Sequence, residues 1–109
     1  MTKEVVVLSA ARSAIGAFGG SLSNMEPSEL AGLVMKGAIE RSGVDPKQIG
    51  NAVVGNCIPT DSRYAYVSRV ASIQAGLPMD SIAMQVSRLC SSGLQGIVCL
   101  LYTSPSPRD

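Results

Sequence analysis

Apolar and polar positions divide the chain into alternating strand-like and helix-like segments. Residues 4–10, EVVVLSA, form a continuous apolar run that is typical of a strand buried on both faces. Comparable runs follow at 51–58, NAVVGNCI, which ends at Pro59, and at 82–89, IAMQVSRL. We predict a strand from each of the three runs.

Helical periodicity separates these runs. From Pro27 or Ser28 onward, apolar residues recur at i, i+3, i+4, i+7 and i+8, which predicts a helix with one buried face. Gly43 is suited to the position after the last helical residue, and Pro46 prevents the helix from resuming. The residues expected on the buried face are Ala31, Val34, Met35, Ala38 and Ile39, widened by Leu30 and Leu33.

Two further helices complete the pattern. One is expected from about Tyr64 to Ala75, with Val67, Val70 and Ala71 directed inward and the Gly-Leu-Pro sequence at 76–78 ending it. The other begins just after Cys90, where Ser91 or Ser92 is available as an N-cap. The order β-α-β-α-β-α predicts an α/β fold with a mostly parallel sheet.

Composition excludes several classes of protein. The 109 residues are 46% apolar and 16% charged with a net charge of +1, which fits a globular domain and gives no basic stripe for nucleic acid. The N-terminal apolar run is too short for a signal sequence or a membrane span. Three cysteines without a C-x-x-C spacing, and no histidine, argue against a metal site or a disulfide framework and favour the reducing cytoplasm.

Residues 99–109, CLLYTSPSPRD, depart from this pattern. Pro105 and Pro107 exclude a helix around them, and the segment resembles the translation of a transposase adapter used in preparing DNA sequencing libraries. We therefore expect residues 1–98 to be an incomplete natural domain and residues 99–109 to be a non-native, disordered tail. On this interpretation Cys99 belongs to no site.

Cys90 is the candidate catalytic residue. The first free N–H groups of the predicted helix carry partial positive charge, so they favour a thiolate and could hold an oxyanion. Small neighbours at 91–93 leave room for an acyl group. The alternative is that Cys90 is a small apolar residue closing a strand. Cys57, inside a predicted strand, is expected to pack in the core.

The segment VSRLCSSGLQGI resembles the acyl-enzyme cysteine signature of the thiolase family, which includes acetyl-CoA acetyltransferases and 3-ketoacyl-CoA thiolases. VVVLSAARSAIGAFGGSL, GVDPKQIGNAVVGNCI and RVASIQAGLP are similar to segments that the family has in the same order. The resemblance covers residues 3–98. It implies that Cys90 is the nucleophile that takes the acyl group from acyl-CoA as a thioester.

The resemblance also implies the start of the N-terminal half of a layered α/β/α/β/α fold. The strand at 82–89 would then lie near the two-fold interface of a homodimer or homotetramer. Coenzyme A thioesters would be the substrates, and no separate cofactor is expected. The family's activating histidine and second cysteine belong to later segments that are not in this sequence, and no coenzyme A contact is assigned. The chain alone is therefore expected to be inactive.

Two alternatives stay open at this point. A decarboxylating 3-ketoacyl synthase shares the fold and a nucleophilic cysteine, but its signature usually has alanine where Leu89 stands here. A small, non-enzymatic α/β domain would use Cys90 only in its core or as a redox thiol. The direction of the parent reaction in fatty acid metabolism and its chain-length preference are not visible in the sequence.

Overall fold

The computed structural model describes residues 4–103 of the protein, and helices and strands alternate along them from residue 27 onward. The helices and strands are α1 (Pro27–Ser42), β1 (Asn51–Gly55), α2 (Val67–Gln74), β2 (Ile82–Val86) and α3 (Ser92–Thr103). Short 3₁₀ helices at Pro46–Gln48 and Ser62–Tyr66 precede β1 and α2.

The two strands form a parallel sheet, as the alternating pattern predicted. Asn51 lies opposite Ile82, and the register continues to Gly55 opposite Val86. Neighbouring residues of β1 face different helices. Ala52 packs with Ala75 and Leu77 at the end of α2, whereas the side chain of Val53 meets Gly96 of α3. Because successive strand residues point to opposite faces, α2 and α3 cover opposite faces of the sheet.

The strand expected at residues 4–10 is not formed. This segment pairs with neither strand of the described sheet, and the side chain of Val7 is 87% exposed. Two hydrogen bonds attach the C-terminal end of this segment to α1. The Ser9 hydroxyl donates to the Ala38 carbonyl at 2.6 Å, and the Arg41 side chain donates to the Ala10 carbonyl at 2.9 Å. A strand of this composition needs cover on both faces, and residues 5–8 are all more than half exposed.

Helix α1 begins and ends where the sequence predicted. Pro27 occupies its first turn, and Gly43 follows it with a left-handed φ of 74°. Its most buried residues, however, are Ser28 and Gly32 rather than the predicted apolar residues, and Leu33 is exposed. The small residues lie one turn apart and face α2, so the two helices approach each other closely there.

Helix α2 buries a face that differs from the predicted one. Val67 and Ala71 are buried as expected, but Val70 is exposed, and Ser68 and Ser72 take its place in the interior. The Ser68 hydroxyl donates to the carbonyl of Ala52 in β1 at 3.2 Å, which satisfies its hydrogen-bonding capacity inside the protein. The helix is thereby tied directly to the sheet.

The end of α2 was predicted correctly. Gly76 has a φ of 97°, its N–H donates to the Ile73 carbonyl, and the Leu77 N–H donates to the Ser72 carbonyl. This pair of hydrogen bonds is a Schellman motif, which places Leu77 in the small apolar core.

Helix α3 starts at Ser92, as predicted, and continues to Thr103. It therefore includes the first five residues of the segment 99–109, while residues 104–109 lie outside the described part of the chain. The non-native origin of that segment stays a prediction. No helix within the described residues is long and apolar enough to cross a membrane.

Candidate functional site

Cys90 lies on an exposed turn that joins the carboxyl end of β2 to the amino end of α3. The preceding residue, Leu89, has a φ of 51°, a left-handed conformation that is uncommon for residues other than glycine. The Ser91 N–H donates to the Arg88 carbonyl at 3.1 Å, and the Gln95 N–H then begins the helical pattern by donating to Ser91 at 3.0 Å. The chain thus reverses sharply at Cys90 and leaves its thiol accessible.

The Ser92 side chain spans this turn. Its Oγ accepts a hydrogen bond from the Arg88 N–H at 2.8 Å and donates one to the Leu89 carbonyl at 2.7 Å. Ser92 itself is only 4% exposed, whereas its partners Arg88 and Leu89 are exposed, so both bonds are partly buried. The sequence indicated Ser91 or Ser92 as an N-cap. The structure shows instead that the Ser92 hydroxyl bonds backward, across the residues that precede Cys90.

Gly55, the last residue of β1, lies against the first turn of α3. A Cβ atom on Gly55 would stand 2.5 Å from both the carbonyl carbon and the oxygen of Ser92, and 2.7 Å from the Gly93 nitrogen. Gly55 was not among the residues predicted to form the site. The available signal was a glycine at a strand end, which often marks a close backbone approach.

Cys57 is exposed, and its prediction as a core residue was wrong. Strand β1 ends at Gly55 instead of continuing to residue 58, so Cys57 lies in the loop beyond the sheet. There its carbonyl accepts a hydrogen bond from the Ser87 hydroxyl at 2.9 Å. Cys99 is half-buried in α3, where the Gln95 side-chain amide approaches its Sγ at 3.5 Å.

One mainly apolar cavity lies apart from Cys90. It has a volume of about 450 Å³ and lies between α1, β1 and residues 11–13, with a mainly apolar lining that includes Leu30, Val34 and Val54. Cys90 does not line it, and the thiol instead faces open solvent. The described residues therefore provide an accessible cysteine without an enclosing substrate pocket.

Charge near the end of β1 is organised around Arg63. Its guanidinium contacts Asp61 at 3.1 Å and Glu26, at the start of α1, at 3.0 Å. Hydrogen bonds from Arg63 hold the pKa of Asp61 below its ordinary value, and those same bonds raise the pKa of Arg63. Both groups are exposed, and these ion pairs join a loop to the start of α1.

Two features of the turn at Cys90 bear on its possible chemistry. Cys90 is exposed, and α3 begins two residues later with N–H groups that have no partner within their own helix. The first of these, the Ser92 N–H, donates to the Leu89 carbonyl at 3.2 Å. Such groups stabilise negative charge on a sulfur or on the oxygen of an attacked carbonyl. The chain contains no histidine, which is the side chain that most often acts as a general base.

These features define an α/β protein in which an exposed cysteine occupies a strand-to-helix turn. The model of the thiolase N-terminal domain matches residues 5–101, and the chain belongs to this family. The match includes Cys90, both strands, all of α1 and α2, and α3 except for its last two residues. The resemblance stated from the sequence is confirmed, and the comparisons do not favour the 3-ketoacyl synthase or a separate non-enzymatic domain.

Three relatives illustrate the similarity. Beta-ketothiolase BktB of Cupriavidus necator is 47% identical over 94% of this chain, and an acetyl-CoA acetyltransferase of the same organism is 41% identical over 87%. The crystal structure of human mitochondrial 3-ketoacyl-CoA thiolase in complex with CoA matches 88% of this chain with a TM-score of 0.85 and 30% identity.

The chain spans only about a quarter of the length of these relatives. The covered shares are 26% and 24% of the two Cupriavidus necator proteins and 24% of the human chain. The described residues are therefore similar to the N-terminal quarter of a thiolase.

Proposed function

We propose that the chain supplies the nucleophile-bearing N-terminal part of an acyl-CoA:acetyl-CoA C-acyltransferase, with Cys90 as the nucleophile. The observation that supports this role most directly is the position of Cys90, which is exposed on the turn before α3 within the matched family segment. The relatives named as thiolases and acetyl-CoA acetyltransferases supply the reaction class.

The chemistry proceeds in two steps. The Cys90 sulfur attacks the carbonyl carbon of an acyl-CoA, the bond from that carbon to the coenzyme A sulfur breaks, and coenzyme A leaves and takes up a proton. The α-carbon of acetyl-CoA, having lost a proton, then attacks the acyl group on Cys90. This forms a 3-ketoacyl-CoA and releases the thiol. Thiolysis of a 3-ketoacyl-CoA is the reverse sequence.

Residues 4–103 support only part of this cycle. The first turn of α3 provides N–H groups for the developing oxyanion, but turnover also needs a base for the thiol and a second group that removes the proton from acetyl-CoA. It further needs a pocket that orients coenzyme A. We infer that these elements come from sequence beyond that of this chain.

We infer further that the assembled enzyme is a cytoplasmic homodimer or homotetramer. The exposed apolar side chains of β2 support a role in association, since Ile82 is 62% exposed on a strand with only one neighbour in the described sheet. Unpaired strands with exposed apolar residues are common sites of association.

A chimaera tests the proposed function. Residues 1–98 are joined to the remaining three quarters of the Cupriavidus necator beta-ketothiolase, and thiolysis of acetoacetyl-CoA is followed beyond one equivalent. We expect multiple turnovers from the chimaera and none from the 109-residue chain. Cys90→Ala should reduce the rate of the chimaera by at least about 10³-fold, because loss of a nucleophile removes the covalent route.

Cys57→Ala is the matched control, since Cys57 is also exposed but lies on the loop after β1. Its rate should stay close to that of the unmodified chimaera. Turnover that survives Cys90→Ala, or that is lost equally on replacing Cys57, would contradict the role of Cys90. Repeated turnover by the 109-residue chain would contradict the need for further sequence.

A further inference from the structure

We propose that Gly55 and Ser92 are positioning residues that hold Cys90 in its reactive placement at the start of α3. This inference rests on the proposed function of Cys90 as a nucleophile. Neither residue touches the reacting atoms. Gly55 acts from the neighbouring strand and Ser92 from within the turn, and both act on the backbone that carries the thiol.

The close approach of Gly55 determines where α3 begins. A Cβ at this position would meet the carbonyl carbon and oxygen of Ser92 at 2.5 Å, whereas ordinary contact begins near 3.4 Å. The contacted atoms belong to backbone, which cannot rotate away as a flexible side chain can. Any side chain at position 55 must therefore displace the strand end or the first turn of α3 by roughly 1 Å. Since Ser92 is two residues from Cys90, such a shift changes where the thiol stands relative to the first N–H groups.

Ser92 maintains the shape of the turn itself. Its hydroxyl joins the Arg88 N–H and the Leu89 carbonyl, which flank the left-handed residue immediately before Cys90. A left-handed conformation is disfavoured for leucine and persists only where the surroundings enforce it. The two partly buried hydrogen bonds contribute to that enforcement. Without the hydroxyl, the Arg88 N–H loses this partner and the Leu89 carbonyl keeps only the Ser92 N–H at 3.2 Å, so the turn relaxes and the cysteine moves with it.

The test compares acetylation of two cysteines in the same 109-residue chain by a small thioester, S-phenyl thioacetate. Cys99→Ala is used as the background so that each tryptic peptide carries a single thiol. The acetylation rate at Cys57 then measures general accessibility, while the rate at Cys90 also depends on the geometry of the turn. We expect Cys90 to be acetylated faster than Cys57 in the background chain.

Gly55→Ala and Ser92→Ala should each lower the ratio of the Cys90 rate to the Cys57 rate by about 10-fold or more. A misplacement of about 1 Å can cost about 10²-fold in a positioned reaction. Gly50→Ala is the control for the first variant, because a Cβ at Gly50 meets nothing within 4 Å. Ser72→Ala is the control for the second, because Ser72 is also buried and its hydroxyl donates to the carbonyl three residues earlier, at 2.9 Å.

Far-UV circular dichroism of every variant shows whether helix content is retained. If Gly55→Ala loses its helices, the rate ratio of Ser92→Ala tests the positioning role instead, since this substitution removes one oxygen and introduces no clash. An unchanged ratio in a helical Ser92→Ala, or an equal fall in Ser72→Ala, overturns the positioning role alone. Equal rates at Cys90 and Cys57 in the background chain instead overturn the proposed function, and the positioning role with it.

Discussion

At the scale of single residues, Leu89 carries the most unusual backbone of the site. Its φ of 51° is disfavoured for leucine, and its side chain is 63% exposed, so burial does not offset the cost. Asparagine tolerates this conformation far better, because its short polar side chain can bond to nearby backbone. The leucine is therefore not optimal for the stability of the turn.

Leu89→Asn should increase the free energy of unfolding by about 0.5–1 kcal/mol, since it relieves part of the left-handed strain without burying new polar groups. Urea unfolding followed by circular dichroism measures the change. Leu94→Asn is the matched control, because Leu94 is similarly exposed but helical, at 67%. There the lower helix propensity of asparagine should decrease stability by about 0.5 kcal/mol. A decrease of the same size at both positions would show that Leu89 is not strained.

At the scale of elements, the packing of α1 on α2 depends on a small residue. A Cβ on Gly32 would lie 2.9 Å from the Gln74 side-chain oxygen and 3.2 Å from its Cβ, and 3.5 Å from the Ala71 carbonyl. The Gln74 oxygen can rotate away, but its Cβ and the Ala71 backbone move only with α2. The absence of a side chain at Gly32 therefore allows α1 and α2 to approach this closely. The short distance between the two helices in turn affects the position of α2 on the sheet.

Gly32→Ala should decrease the free energy of unfolding by about 1–3 kcal/mol, the usual cost of overpacking a close contact. The same substitution at Gly37 should increase it by up to about 1 kcal/mol, because alanine is the better helix former. At Gly37 a new Cβ would meet only the Ala11 Cβ, at 4.0 Å. Urea unfolding of both variants gives the comparison. Equal stabilisation by the two alanines would show that α1 and α2 are not in close contact at Gly32.

At the scale of the whole molecule, the described residues leave a large apolar surface uncovered. Val7, Leu8 and Phe18 are among its exposed members, together with Ile82 on β2. Its core is correspondingly small and is built around Ala52, Ala75 and Leu77. Exposed apolar segments and an unpaired strand edge favour association with other molecules.

The 109-residue chain should therefore self-associate, with a weight-average mass in sedimentation velocity that rises with protein concentration. Val7→Glu should weaken this association, because it places a charge in the exposed apolar segment. Ser23→Glu adds the same charge at an exposed position outside that segment and should have little effect. A monodisperse monomer at every concentration would contradict the prediction, as would equal effects of the two substitutions.

Local signals in the sequence were sufficient for much of the fold and for the place of Cys90. The ends of α1 and α2 follow from Pro27, Gly43 and Gly76, whose backbone preferences act within a few residues. The parallel pairing of β1 and β2 followed from the alternation of strands and helices. The turn at Cys90 was predicted because an apolar run ends there and a capped helix begins.

Tertiary structure decided what depends on contacts between distant segments. Residues 4–10 have the composition of a strand but form none, because pairing and cover must come from elsewhere in space. Periodicity placed Val70 inside, whereas the packing of α1 and β1 against α2 buries Ser68 and Ser72 instead. The meeting of Gly55 with the first turn of α3 joins residues 37 positions apart in the chain (55 to 92), and local pattern carries no information on such a distance. The sequence by itself thus placed Cys90 at a strand-to-helix turn, because the signals for that turn are local, while the tertiary structure determined that Gly55 packs against the first turn of α3.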